Sequence, residues 1–344
     1  NFSFNTYSGM QVADSENITI AHSFMRNNSD HGIYYKEGNV NLTIKNNTLS
    51  HNSFKAIRGS GSNITIIGNQ IIRNRLGGAM MVSGSDYQIR SNIVHDNQDS
   101  LLIFASNCSI ENNTIKDGNS YGIKLYADNC TLASNTISGN LGNGIYVRLK
   151  DNDIHGNQIL GNGKGIYLYG SSNTIADNTI ESSEEFGILA DPLSSDNLIV
   201  DNRFLDNDVN AKDDGTGNAW DDGTIGNYWD DYEGRDYNDD GIGDTPHELA
   251  GDASAKDAHP IFQDGPDPPQ LKVLNPTSGG LHGKSPPGFA ITVTDASLSA
   301  KWYKLYDGTN WTKSCLFEAN GTIDQECWDE VFDGSITLRF YAND

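Results

Sequence analysis

Three stretches decide the fold: "LTIKNNTLSHN" from Leu42 to Asn52, "ITIIGNQIIRN" from Ile64 to Asn74, and "CTLASNTISGN" from Cys130 to Asn140. Aligned on the first asparagine of this pattern, Asn47, Asn69, Asn92, Asn113, Asn135, Asn157, Asn178 and Asn202 fall in register, with spacings of 22, 23, 21, 22, 22, 21 and 24 residues. Ser23 takes the same place one period earlier. Three residues before each marker stand Ile20, Ile44, Ile66, Ile89, Ile110, Leu132, Ile154, Ile175 and Ile199. Two residues after it stand Met25, Leu49, Ile71, Val94, Ile115, Ile137, Ile159, Ile180 and Phe204. Five after it asparagine usually returns, as Asn28, Asn52, Asn74, Asn97, Asn140, Asn162 and Asn207. A glycine then often opens a third apolar run, as in "GIYYK", "GIKLY", "GIYVR" and "GIYLY".

Each repeat thus holds three short runs of period 2 separated by polar corners, and none is long enough for a stable helix. Three short strands per 22 residues describe one coil of a parallel β-helix. A single coil cannot bury its inner face, but stacked coils share a continuous core of aligned isoleucines. About nine coils at roughly 4.8 Å give a rod on the order of 43 Å long. At a corner the backbone bends and loses sheet partners. An inward asparagine supplies both a donor and an acceptor there, and in register its amide reaches the amide of the next coil.

The composition agrees with a turn-rich all-β chain: 36% hydrophobic residues, 36 glycines and abundant asparagine among 344 residues. No run of 18 apolar residues marks a membrane span. The net charge of −23 disfavours a nucleic-acid partner. That charge is concentrated, with 19 acidic residues against 4 basic ones between Asp201 and Gln270. "YSGMQV" near the start matches a glycine-led strand without the front half of its coil, and the end follows a strand without a closing turn. Both suggest a piece of a longer, multi-domain chain.

Inside the acidic stretch, "DYNDDGIGD" places Asp236, Asn238 and Asp240 two residues apart, then Gly241, the carbonyl of Ile242 and Asp244. Oxygen donors alternating along a tight loop converge on one point, which is the first part of an EF-hand-type calcium loop. The position of the usual bidentate glutamate is occupied by His247, so a carboxylate from farther on, Glu248 or Asp257, is needed to close the site. The expected cofactor is one structural Ca2+.

The repeats, covering about residues 9 to 262, resemble the right-handed parallel β-helix of the NosD-like family found in extracellular and archaeal surface proteins. The segment from Gly217 to Phe262 resembles that family's terminal segment, and "DAHPIF" resembles its closing motif, which favours Asp257 as the distal ligand. In this reading Trp220 and Trp229 cover the open end of the core. The expected organisation is a β-helix over residues 1–209, an acidic calcium-binding cap over 210–263, a proline-rich linker over 264–270, and a β-sandwich over 271–344. The last segment resembles the Ig-like modules that follow β-helices in archaeal surface proteins, with Trp302 as a core residue. In an extracellular chain Cys315 and Cys327 are expected to form a disulfide. Cys108 and Cys130, one coil apart and inward, fit either a second disulfide or stacked free thiols.

The resemblance to NosD also implies copper delivery. The eight histidines share no ladder position and there are only four methionines, so the pattern offers no stacked copper ligands. The outward positions of the glycine-led strands read as Tyr34, Arg58, Met80, Ile103, Lys124, Tyr146, Tyr167 and Leu189, with Arg148, Tyr169 and Asp191 close by. This strip is aromatic and basic and holds no carboxylate pair of the kind a glycosidase uses. Tyr146, Arg148, Tyr167 and Tyr169 are therefore candidates for glycan binding, and no catalytic residue is assigned. Eleven sequons begin at Asn1, Asn17, Asn27, Asn41, Asn46, Asn63, Asn107, Asn112, Asn129, Asn310 and Asn320. Asn310, Asn320, Asn17, Asn41 and Asn63 are expected to be N-glycosylated ahead of Asn46 and Asn112. Two functions compete. One is a non-enzymatic extracellular surface-layer, sheath or adhesive protein that assembles with copies of itself or other subunits. The other is a carbohydrate-active lyase or epimerase, or a glycan-binding module.

Overall fold

The computed structural model describes residues 1–74, 76–236, 240–263, 270–276, 284–294, 300–331 and 335–343. The chain divides into two compact units, Asn1–Phe262 and Gln263–Asp344.

The first unit is a parallel β-helix of about ten turns. The strands that follow the marker position, from Phe24–Arg26 to Tyr228–Trp229, form one ten-stranded sheet. Along it Leu49, Ile71, Val94, Ile115, Ile137 and Ile159 lie directly over one another. Along the adjoining face Ile44, Ile66, Ile89, Ile110, Leu132, Ile154, Ile175 and Ile199 do the same. All of these side chains are fully buried. The tenth rung comes from the acidic segment: Tyr228–Trp229 pairs with Arg203–Phe204, so residues after 209 continue the helix.

Each corner repeats a two-residue device. A residue in the left-handed region makes the bend, and the next residue turns inward. Asn46, Ser91, Asn112, Ser134, Asp177 and Asp201, all with φ between 53° and 55°, precede Asn47, Asn92, Asn113, Asn135, Asn178 and Asn202. Asparagine and aspartate, with glycine, tolerate that conformation best, and serine takes it in two of these coils. The inward carboxamide then ties three coils together. Asn113 donates to Ile89 O at 2.8 Å and to Asn135 Oδ1 at 3.0 Å, and its own oxygen accepts from Asn92 N and Nδ2, each at 3.0 Å.

A third ladder, absent from the sequence reading, runs through Asn152, Asn173, Asn197 and Asn218 at the remaining corner. Cys108 and Cys130 occupy the equivalent place in earlier coils, where apolar residues interrupt the period. Both are buried free thiols, and both point at Ala105 O, at 2.7 and 3.5 Å. In two coils this corner is replaced by the continuous strands Ile57–Ile67 and Met80–Arg90. Gly84 makes that path possible: it has φ +112°, and a Cβ there would lie 2.0 Å from Gly61 O.

At the far end Trp229 stacks on Phe204 with ring centroids 4.3 Å apart, and His247 stacks on Trp229 at 4.6 Å. The indole N–H of Trp220 donates to Asp213 and that of Trp229 to Asp257, each at 2.8 Å. Burial lowers the pKa of His247 despite the Asp231 carboxylate 3.7 Å away. The unfolded chain therefore takes up a proton more readily than the folded one. Stability from this group is present above the ordinary histidine pKa and declines as pH falls below it. Melting temperatures are expected to drop between pH 7.5 and 5.5, and His247→Gln is expected to reduce that dependence. An unchanged slope in the variant would refute the assignment.

Among the described residues the second unit contains two three-stranded antiparallel sheets, and Phe289, Tyr303, Leu305 and Ile323 belong to one buried cluster. Cys315 and Cys327 are joined by a disulfide. This arrangement is compatible with an Ig-like part. Trp302 is not a core residue. The alternation of its strand sends Tyr303 inward, and Trp302 stacks outside on Tyr341 at 5.5 Å.

Candidate functional site

The glycine-led strands lie side by side and form one outward face of the rod. Pairing registers place Tyr34, Arg58, Met81, Leu102, Lys124, Tyr146, Tyr167, Leu189 and Lys212 in a single row along the axis. Two members of the expected strip are corrected here. Met80 and Ile103 are fully buried, and their neighbours Met81 and Leu102 face outward. The runs "AMMV" and "LLIF" are apolar throughout, so alternation alone does not fix their phase, and a slip of one residue exchanges the faces.

A second row, two residues farther along each strand, adds Phe104, Tyr126, Arg148, Tyr169 and Asp191. Phe104 stacks on Tyr126 with centroids 5.1 Å apart. Tyr126 meets Tyr146 at 5.7 Å, and Tyr146 meets Tyr167 at 5.3 Å. Lys124 Nζ lies 3.6 Å from the centre of the Tyr121 ring, and the Arg148 guanidinium 3.7 Å from that of Tyr169. Six aromatic rings and two cations thus form a continuous platform across about four coils. The four candidates Tyr146, Arg148, Tyr167 and Tyr169 are brought together at its centre. Phe104, Tyr121, Tyr126 and Lys124 complete it. Phe104, Tyr121 and Tyr126 were not singled out from the sequence: Phe104 lies in a coil without the opening glycine, Tyr121 precedes the glycine of its coil, and Tyr126 ends the run "GIKLY". The Tyr167 hydroxyl donates to Asp191, and that hydrogen bond pushes the phenol pKa well above its usual value.

The acidic loop is held by its own backbone. Gly241 N donates to Asp236 at 2.7 Å and Ile242 N to Asp240 at 2.9 Å, with Gly241 at φ +82°. Asp244 N bonds to Arg235 O, and the loop is tied to the closing segment through Gly243 N to Pro260 O. Asn238 lies outside the described residues. Asp257 is fully buried, and its carboxylate accepts from Asn227 N, Trp229 Nε1 and His259 N at 2.7, 2.8 and 3.0 Å. Among the described residues, no three histidine, cysteine, aspartate or glutamate side chains stand together as a metal-holding group.

All eleven sequon asparagines are exposed. Asn17, Asn41 and Asn63 stack on adjacent coils with their carboxamides hydrogen-bonded in series. Asn320 bonds both ways to the backbone of Ile291, at 2.9 and 3.0 Å. No helix among the described residues is long and apolar enough to cross a membrane.

Residues 102–234 match the family described as periplasmic copper-binding protein (NosD), and residues 1–128 match the right handed beta helix region. No curated protein matches the chain. Among solved structures, the A-module of the mannuronan C-5 epimerase AlgE6 of Azotobacter vinelandii is 13% identical, with a TM-score of 0.47 over 63% of this chain and 80% of that one. The Dettilon tailspike protein is 14% identical, with a TM-score of 0.42 over 78% and 66%. A double mutant of the periplasmic alginate epimerase AlgG is 14% identical, with a TM-score of 0.35 over 60% of each chain. These likenesses assign no chemistry to the present chain.

Proposed function

We propose that this NosD-like right-handed parallel β-helix protein is a non-enzymatic extracellular surface protein that holds an acidic polysaccharide along its aromatic face. The observation that carries the reading is the platform of Phe104, Tyr121, Tyr126, Tyr146, Tyr167 and Tyr169 with Lys124 and Arg148. Tyrosine rings offer flat apolar area to sugar faces, while the two cations supply charge to carboxylates. The rest of the rod keeps this face straight. The net charge of −23 acts against non-specific binding of polyanions, so contact with an acidic chain is confined to where cations are clustered. The replacement of both Tyr146 and Tyr167 by alanine is expected to weaken binding to polygalacturonate by about a hundredfold, at roughly 1–1.5 kcal/mol per ring. Retained affinity in a folded double variant would refute this reading.

A lyase or epimerase would need a proton acceptor on this face. The carboxylate in the second row of this face, Asp191, already accepts from the Tyr167 hydroxyl, so each group engages the other, which favours binding over proton abstraction. Formation of unsaturated products from uronate polymers, abolished by Tyr167→Phe, would reverse that preference.

Calcium and glycosylation belong to the same proposal. The reading rests on the sequence spacing: Asp236, Asp240, Asp244 and the Ile242 carbonyl would supply an all-oxygen donor set suited to a hard cation, with Asn238 as a further donor. Chelation is expected to lower the melting temperature, and Asp240→Ala is expected to remove that sensitivity. The absence of any chelator effect would count against a structural ion. For N-glycans, Asn310 is favoured over Asn320, whose carboxamide is engaged with Ile291. The stacked Asn17, Asn41 and Asn63 leave room for one glycan among them rather than three. Intact-mass measurement of native material checks both statements.

A further inference from the structure

The platform does not occupy the whole face. Three coils nearer the N-terminus, the same outward row continues through Tyr34, Arg58 and Met81. There the strand Ile33–Val40 departs from the repeat. Three residues lie between Tyr35 and Asn39 where one lies between their partners Gly59 and Gly61, so Lys36, Glu37 and Gly38 stand out as a wall. Against it lies a cleft of about 520 Å³ lined by Asp14, Tyr34, Lys36, Glu37, Arg58 and Ser83 among others. That volume falls in the range of small-ligand sites.

The floor is rigid. Tyr35 is buried beneath it and donates to Tyr87 Oη at 3.1 Å, and Tyr87 donates to Ser83 O at 2.9 Å. The Tyr35 ring packs against Gly59, where a Cβ would lie 2.3 Å from it. The walls carry both kinds of charge. Among the described residues none of Asp14, Lys36, Glu37 and Arg58 forms an ion pair, although all four line one cleft. The Arg58 guanidinium lies over the Tyr34 ring, 5.9 Å from its centre. Two cations and two carboxylates held apart around a tyrosine suit a ligand with one anionic group and several hydroxyls. Cations take the anion by charge-assisted hydrogen bonds, carboxylates accept from hydroxyls, and the ring covers an apolar face.

We propose that this cleft is a second subsite of the same face, which receives a single carboxylate-bearing sugar at an end or branch of the bound polysaccharide. The assignment rests on the acidic-glycan reading of the platform and adds a position and a specificity to it. Arg58 and Lys36 hold the sugar carboxylate, Tyr34 stacks on the ring, and Asp14 and Glu37 accept from its hydroxyls. The platform binds the body of the chain, and the cleft selects the charged unit that fits beside the wall.

Titration calorimetry with a galacturonate tetramer, its carboxyl-reduced counterpart, a sulfated tetramer and long polygalacturonate tests the cleft. Four proteins are compared: wild type, Arg58→Gln with Lys36→Gln, Tyr146→Ala with Tyr167→Ala, and Asp14→Asn with Glu37→Gln. Wild type is expected to bind the galacturonate tetramer and not the reduced one. The Arg58/Lys36 variant is expected to lose at least about tenfold in tetramer affinity, from one lost charge-assisted contact. The Tyr146/Tyr167 variant is expected to keep tetramer binding and lose polymer binding, and the Asp14/Glu37 variant to weaken the tetramer alone. All substitutions lie at the surface, and unchanged melting curves establish folding. If the polymer binds wild type but tetramer affinity is unchanged by the cleft substitutions, the cleft assignment is overturned and the platform reading stands. Equal binding of the reduced tetramer, or preference for the sulfated one, overturns the carboxylate specificity. If neither polymer nor tetramer binds wild type, both fall.

Discussion

Replacement of Asn135 by leucine is expected to destabilise the rod by about 3–6 kcal/mol, although the two side chains are of similar size. Asn135 stands mid-ladder, 1% exposed. Its oxygen accepts from Asn113 N and Nδ2, each at 3.0 Å, and its amide donates to Ile110 O at 2.8 Å and Asn157 Oδ1 at 3.0 Å. Leucine leaves Asn113 N and one of the two Asn113 Nδ2 hydrogens buried without an acceptor, the other hydrogen keeping Ile89 O, and takes a donor from the Ile110 carbonyl and from Asn157 Oδ1. Each such orphan costs about 1–3 kcal/mol, because no water reaches it. Because each coil contacts only its neighbours, the damage is expected first in adjacent coils, as faster amide exchange around Asn113 and Asn157. Thr131→Ala, on the outward side of the same coil, is expected to stay within about 0.5 kcal/mol. A denaturation midpoint for Asn135→Leu matching that control would mean that the ladder is ornamental.

At the other end of the rod, Asp257→Ala is expected to cost a similar amount, about 3–6 kcal/mol, from three N–H groups that lose one carboxylate. Asn227 N and Trp229 Nε1 are both buried, and His259 N is partly so. Asn227 is also the last rung of the marker ladder, receiving Asn202 N and Nδ2 at 3.1 and 3.0 Å. Loss of Asp257 therefore loosens the tenth rung and exposes Trp229, which tryptophan fluorescence reads as a red shift. The comparison with Asp240→Ala separates structure from metal binding. If Asp257 acts through these N–H groups, its replacement lowers the melting temperature equally with and without calcium. If it acts as the distal calcium ligand, the loss vanishes in chelator. Asp257→Asn, which keeps one acceptor oxygen, is expected to fall between wild type and alanine.

The coil, its period and its inward residues were legible in the sequence because one geometry is repeated. Isoleucine three residues before each asparagine has only one place to go, and nine copies in register fix the strand phase where any single copy is ambiguous. The two main ladders followed from the same spacing, and the tryptophans that close the end from the resemblance of the terminal segment. What the sequence left undetermined lies where the repeat is broken. Met81 and Leu102 replaced Met80 and Ile103 on the outward face because an all-apolar run carries no alternation, and only pairing with the neighbouring coil sets its phase. The ladder through Asn152, Asn173, Asn197 and Asn218 was hidden by cysteine and apolar residues in the earlier coils. The platform adds Phe104, Tyr121 and Tyr126 to the four residues named from the sequence, and these rings meet Tyr146 and one another only once the coils stack. Asp14 and Glu37 reach the cleft with Arg58 only because two extra residues push the wall outward from one coil. Periodic burial is a local property that the chain repeats, so the sequence determined the rod; side-chain neighbours across coils depend on where the period fails, so the tertiary structure decided which side chains meet on its aromatic face.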